Sequence, residues 1–279
     1  MLKEIAIADA YGAGFEFSLA SKVISNNDLR CYLPHDLYGF QAKYTDDTQM
    51  SIAIAKLLLL DESWNDELIA SMFVCCFKRD VRLGYSSGFH KLLMNCSSGR
   101  ELLENIKPIS ERNGAAMRSV PLGFLRDKKN LLRLSKLQSA ITHNTEIAIK
   151  SSCAVALAAH FGIHLKGGLS DLRRFLETEG YADWDFDWKY AVTMNAHDTV
   201  SAALSCLLKC DNLHDLLQMC VGLCGDTDSV ASIAVGIACC FDEYERNLPQ
   251  HLFESLDEVQ YGLDYLDSLE CQLVARYVD

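Results

Sequence analysis

With 279 residues, 49% of them hydrophobic and only four prolines, the chain can fill one large helical domain or two small ones. Its 26 basic and 38 acidic residues leave a net charge of −12, which argues against bulk binding to nucleic acid or to an anionic membrane surface. A small anionic ligand held by backbone amides and metal is left open.

Met1 to Phe17 reads as a helix with a glycine-rich end, Gly12-Ala13-Gly14, and Glu16 follows it directly. Taken alone, Glu16 is equally well a solvated loop acid. Ser18 to Lys43 has little periodicity and contains Pro34, the pattern of a long loop of the kind that often serves as a lid. Then comes Thr45-Asp46-Asp47-Thr48, two carboxylates between two hydroxyls, opening the apolar run Ser51 to Leu60. Thr45 suits an N-cap, and acids in a first turn suit the positive end of a helix dipole.

Trp64 to Lys78 is amphipathic, with Asn65-Asp66-Glu67 as its start. Two small-residue turns follow. Gly84-Tyr85-Ser86-Ser87-Gly88 can present amide donors to phosphate, or simply connect helices. Ser110 to Arg118 carries the turn signal Asn113-Gly114 before a helix opening whose N-terminus would suit a diphosphate. Asn130 to Ile141 and Asn144 to Phe161 are helical in period, with His143 at their junction, as a cap or facing a pocket. His160 and His164 are four apart without a catalytic acid between them and read as helix-end residues rather than a zinc pair. Ser170 to Glu179 is a further helix, and Asp183 to Trp188 an acidic, aromatic rim or surface turn. Ala196 to Lys209 and Leu213 to Leu223 lead into Gly225-Asp226-Thr227-Asp228-Ser229, a second acidic start followed by apolar residues to Phe241. A final helix closes the chain between Leu256 and Tyr277.

The two acidic starts align, Asp47-Thr48-x-x-Ser51 against Asp228-Ser229-x-x-Ser232, and both open helices that are apolar on every side and therefore belong in a core. Small residues at Ser51/Ala55 and Ser232/Gly236 allow close helix approach. If the two acidic turns meet, carboxylates ~4 Å apart repel by about 4 kcal/mol at an effective dielectric near 20. No Lys or Arg lies inside either motif, so a hard cation with oxygen ligands is the expected answer, and the donor types favour Mg2+ or Mn2+ over zinc. The twelve cysteines form no C-x-x-C; several are adjacent or four apart on helical faces, as reduced core thiols are. The early apolar segment is interrupted by Asp9 and ends without a signal-peptide cleavage site, and the apolar run of the second acidic helix is too short to span a bilayer. A cytoplasmic, all-α protein is expected.

These motifs in this order, from Ala8 to about Phe241, resemble the ADP-ribosylglycohydrolase family. The resemblance implies a single compact orthogonal helical domain over residues 1–279, with a central cleft holding two Mg2+ or Mn2+ ions. It implies Thr45, Asp46, Asp47, Asp226, Asp228 and Ser229 as metal ligands. Glu16 matches the family's N-terminal glutamate, and Glu16 and Asp47 are the candidates for proton transfer. Ser86, Gly88, Ser110, Asn113, Gly114 and His143 would line an ADP-ribose cleft. The implied activity is hydrolysis of the C1'' bond of ADP-ribose attached to a protein side chain or a small acceptor. The sequence departs from the family pattern at Ala8 (commonly Gly), Ser229 (usually Thr) and Glu111 (aromatic in some relatives). A non-catalytic ADP-ribose-binding or structural relative is the alternative. Isoprenoid synthases also bind Mg2+ through helix aspartates, but Asp46-Asp47-Thr48-Gln49-Met50 ends in Met where their last acid belongs. His197-Asp198 suggests an HD-type phosphohydrolase only without the upstream partner that chemistry requires.

Overall fold

The structure, a computed structural model, describes residues 1–278. It is all-α, and among the described residues the only β pairing is in isolated bridges such as Val192 with Gly225. In chain order the helices are α1 (Leu2–Ala13), α2 (Ala20–Asn26), α3 (Asp46–Leu59), α4 (Asp66–Arg79), α5 (Ser87–Asn95), α6 (Gly99–Asn105) and α7 (Lys128–Thr142). They continue with α8 (Glu146–His160), α9 (Leu169–Thr178), α10 (Ala196–Leu207), α11 (Leu213–Gly222), α12 (Thr227–Ala238), α13 (Gln250–Glu254) and α14 (Leu263–Tyr277). Short 3-10 turns at Asn113–Ala115 and Val120–Phe124 link α6 to α7.

The apolar helices are central. Every residue of α12 is buried, with α1, α10 and α11 packed around it. α1 can lie along α12 because Gly12 has no side chain: a Cβ there would sit 2.6 Å from the Cα of Asp228. The Thr227 hydroxyl donates to the Gly12 carbonyl at 2.8 Å, fastening the end of α1 to the start of α12. Gly236 faces Ile5 of α1, so this small residue serves the α1 contact; Ser51 donates to the Met117 carbonyl.

Several boundaries differ from the sequence reading. α1 stops at Ala13, because the Gly12-Ala13-Gly14 backbone closes into i→i+3 turns that bring the Phe17 amide onto the Gly225 carbonyl at 2.8 Å. Glu16 is thereby delivered to the start of α12. The segment between Ser18 and Lys43 is a loop that contains the short α2. α14 begins at Leu263 rather than Leu256, with α13 a separate turn before it. His160 and His164 bond the carbonyls of Leu125 and Phe124, as helix-end residues do. The stretch Glu146–Leu165, α8 and its one-turn continuation, is apolar and long enough to cross a membrane by length and composition. Its most apolar window is 72% buried inside the fold, as in a core helix. No disulfide links the twelve cysteines.

Candidate functional site

The acidic turn at α3 is set by three local features. Thr45 is the N-cap and accepts from the Asp47 amide at 3.4 Å. Before it, Arg82 stacks on the Tyr44 ring at 3.6 Å, donates to the Tyr44 carbonyl at 2.9 Å and pairs with Asp80 and Glu258. Beneath it lies Asp9 of α1, fully buried, accepting from the amides of Thr45 and Thr48 at 3.0 and 2.9 Å and from their hydroxyls at 2.8 and 2.6 Å. Even so, burial pushes Asp9 up to about 6. The second acidic turn needs Gly225 at φ +85°, where a Cβ would lie 2.0 Å from the Val192 carbonyl oxygen.

The two turns meet in one cleft of about 590 Å³, within the range of small-molecule sites. Asp46, Asp47, Asp226, Asp228, Ser229 and Glu16 line its acidic end. Ser232, one turn into α12, donates to Asp47 at 2.9 Å, so the α12 helix reaches directly across to the α3 acid. Among the described residues, Glu16, Asp226 and Asp228 place ligand oxygens within 4.8 Å of one another. Burial, and then the neighbouring carboxylates, push Asp46, Asp47 and Asp228 well above the ordinary carboxylate range. Burial raises Asp226 to about 6. Groups forced to share protons in this way have the electrostatics of a cation site, and an oxygen-only donor set fits hard divalent ions. Thr45 is not part of the cleft lining: its hydroxyl donates to Asp9 and accepts from the Asp47 amide, which leaves one lone pair for a cation.

Glu16 does not hang free. Its carboxylate meets His35 Nε2 at 2.8 Å, and His35 Nδ1 accepts from the Leu37 amide at 3.0 Å, which places the imidazole proton on Nε2 facing Glu16. The long loop after α1 therefore folds back onto the candidate catalytic acid through His35.

Ser86, Gly88, Ser110, Asn113, Gly114 and His143 all line the same cleft. Asn113 is committed, its amide donating to Asp226 at 2.9 Å and Thr199 at 3.0 Å, so it orients an acid from one side. The α5–α6 side adds the exposed cations Lys91 and Lys107, and Arg112 precedes Asn113. Glu111 is exposed and outside the lining; the half-buried His197 and Asp198 and the Asp183–Trp188 turn, whose Trp184 is buried, are outside it as well. Sequence reasoning gave no role to Asp9, His35 or Arg118. The available signals were weak: an acid interrupting an apolar helix, and a histidine inside a loop.

A family description, ADP-ribosylglycohydrolase, matches residues 5–278. The ADP-ribosylhydrolase ARH3 of Gallus gallus is 25% identical, over 82% of this chain and 78% of its own length. The ADP-ribosylarginine hydrolase Tri1 of Pseudomonas putida (strain GB-1) is also 25% identical, over 95% of this chain and 79% of its own. Among solved structures, an ADP-ribosylglycohydrolase-related protein complex superposes with a TM-score of 0.75 at 19% identity, covering 99% of this chain and 95% of that one.

Proposed function

The chain belongs to the ADP-ribosylglycohydrolase family, and from that premise we propose that it hydrolyses the C1'' bond between ADP-ribose and a protein side chain or small acceptor. What carries the reading is the meeting, in one ligand-sized cleft, of two acidic helix starts from opposite ends of the chain with Glu16 beside them. Asp46, Asp47, Asp226, Asp228 and Ser229 are the residues that would hold two Mg2+ or Mn2+ ions, with Thr45 through its one remaining lone pair. Bound there, the ions would neutralise the carboxylates and act as Lewis acids on the distal ribose.

The chain's own residues then divide the work. Lys91, Lys107 and Arg112 attract the diphosphate, and Ser86, Gly88, Ser110 and Gly114 form the wall it lies against. Asn113 keeps Asp226 oriented. Glu16, held by His35, or Asp47, held by Ser232, assists proton transfer at the anomeric centre. A water nucleophile is favoured over a side chain: His143, the histidine of the cleft wall, bonds Thr142 rather than a serine, and no cysteine lines the cleft among the described residues. We place the reaction in the cytoplasm, a setting supported by twelve unpaired cysteines.

The test is a panel of peptides carrying ADP-ribose on arginine, serine or threonine, with free ADP-ribose as product, assayed with Mg2+ and with Mn2+. The arginine adduct comes first, because the P. putida relative is an ADP-ribosylarginine hydrolase. Release of ADP-ribose from any member, lost in Asp228→Asn, is the expected result. ADP-ribose binding without turnover on every substrate would leave a non-catalytic relative instead, and a ribosyl-enzyme adduct seen by mass spectrometry would exclude the water route.

A further inference from the structure

Arg118 is 1% exposed and has no carboxylate partner among the described residues. Its Nε donates to Gln138 Oε1 at 2.5 Å, and its Nη2 donates to the Gln138 carbonyl at 2.9 Å and to Thr142 Oγ1 at 2.8 Å. Burial draws the guanidinium down to about 9, still charged near neutral pH. Thr142 Oγ1 in turn lies 2.6 Å from Nδ1 of His143.

Donor and acceptor bookkeeping along this chain has one consistent solution. A guanidinium only donates, so Thr142 Oγ1 accepts from Arg118. The Thr142 hydroxyl proton then has to go elsewhere, and the one acceptor within reach among the described residues is His143 Nδ1. The opposite arrangement, with Nδ1–H donating to Thr142, orphans a hydroxyl that is only 4% exposed with its residue, and disfavours that tautomer by about tenfold or more. The His143 backbone is fixed as well, its amide donating to the Ser139 carbonyl at 2.7 Å and its carbonyl accepting from the Ser139 hydroxyl at 3.0 Å. Gly114 lies against the ring edge, where a Cβ would come within 3.1 Å of Nε2, and Nε2 itself has no protein partner among the described residues.

We propose that Arg118 and Thr142 are positioning residues that set His143 in its Nε2–H tautomer, so that the cleft wall offers a neutral hydrogen-bond donor to an acceptor oxygen of the bound ligand. The tautomer rests on this geometry alone; the identity of the ligand as ADP-ribose rests on the function proposed above. A neutral donor has a use here. It can bind a ligand oxygen without adding a further cation to compete with metal ions at the other end of the cleft.

Nitrogen NMR of histidine-labelled protein reads the tautomer directly, with the His143 signals assigned by their loss in His143→Gln. The expected spectrum near neutral pH has the proton on Nε2 and a bare Nδ1. Thr142→Ser keeps that pattern, whereas Thr142→Val, or Thr142→Ala where valine does not fold, gives a mixture or the Nδ1–H form. A proton on Nδ1 in the unsubstituted protein, or an unchanged tautomer in a folded Thr142→Val, overturns the relay. Adding ADP-ribose should shift the His143 Nε2–H signal, and Thr142→Val should weaken ADP-ribose binding by about tenfold while Thr142→Ser restores it. ADP-ribose that binds by calorimetry and leaves His143 unmoved overturns the donor role. A folded protein with Nε2–H in place that binds no ADP-ribose overturns the functional reading, and the relay stands.

Discussion

Single side chains at this site are committed in pairs, and the pairs predict different kinetic signatures. Asp47 and Asp228 come from opposite ends of the chain, yet each is raised by burial and then by shared carboxylate neighbours. If they form one centre, Asp47→Asn and Asp228→Asn each remove nearly all turnover and the double variant loses little more, because residues acting as a unit are strongly non-additive. Multiplicative losses in the steady-state rates would show two separate sites. The Glu16–His35 pair predicts something narrower. Glu16→Gln should cut kcat by about a hundredfold, in the range of a lost general acid or base, with ADP-ribose affinity by calorimetry nearly unchanged. His35→Ala should give a smaller loss in the same direction, since the carboxylate is present but no longer aimed. Wild-type turnover in Glu16→Gln would remove that residue from the mechanism.

At the scale of helices, α3 and α12 begin with similar sequences but are fixed by different partners. The α3 start hangs on Asp9 through four donors, two amides and two hydroxyls. The α12 start uses Asp226 as N-cap without a side-chain cap bond and is positioned by Gly225, Gly12 and the Thr227 hydroxyl. Ser232 bonds the other helix's acid, whereas its counterpart Ser51 bonds the Met117 carbonyl. The near-repeat in sequence is therefore not a repeat in function. Gly12→Ala tests this arrangement, because its Cβ would meet backbone atoms of Asp228 and Thr227 that cannot rotate away. Overpacking of this kind costs about 1–3 kcal/mol, to be read from urea unfolding, and it should weaken Mg2+ binding by displacing Asp228. Unchanged stability together with unchanged metal affinity would mean that α1 does not set the acidic turn.

For the whole molecule, six buried or half-buried carboxylates, Asp9 included, converge where no Lys or Arg pairs with them. Ions binding only the folded state add about 2.7 kcal/mol at a hundredfold excess over their dissociation constant, so the melting temperature should fall on chelation and recover with Mg2+ or Mn2+. Without metal, the pH dependence has a definite sign. Asp9 and Asp226 have folded-state pKa values of about 6, above the ordinary 3.8, so the folded state holds protons that the unfolded state has released. Their contribution is fully present below about pH 4 and is lost as the pH rises through 6, with the more strongly raised Asp46, Asp47 and Asp228 extending the loss upward. Chelated protein should thus be less stable at pH 8 than at pH 5 in denaturant titrations, and saturating Mg2+ should flatten that slope. A melting temperature indifferent to chelator and to pH would remove the acidic cluster as a metal site.

By itself the sequence determined the longer helices and the residue types of the site, because those signals are local; the short α2, α5, α6 and α13 escaped it, and the helix expected after Asn113-Gly114 is a pair of 3-10 turns. Thr45 before an acidic first turn, Asn65 at the start of α4, and unbroken apolar periods in α8 and α12 act within a few residues. The family resemblance, carried by ordered motifs, extended this to the cleft residues Ser86, Gly88, Ser110, Asn113, Gly114 and His143, which do share one cavity. Only the tertiary structure decided which residue serves which. Asp9 meets Thr45 across 36 positions, Asn113 meets Asp226 across 113, and Ser232 meets Asp47 across 185. Nothing in the spacing of such pairs encodes their contact. Partner choice there follows from burial, since a polar group removed from water takes whichever complementary group the packing brings within about 3 Å.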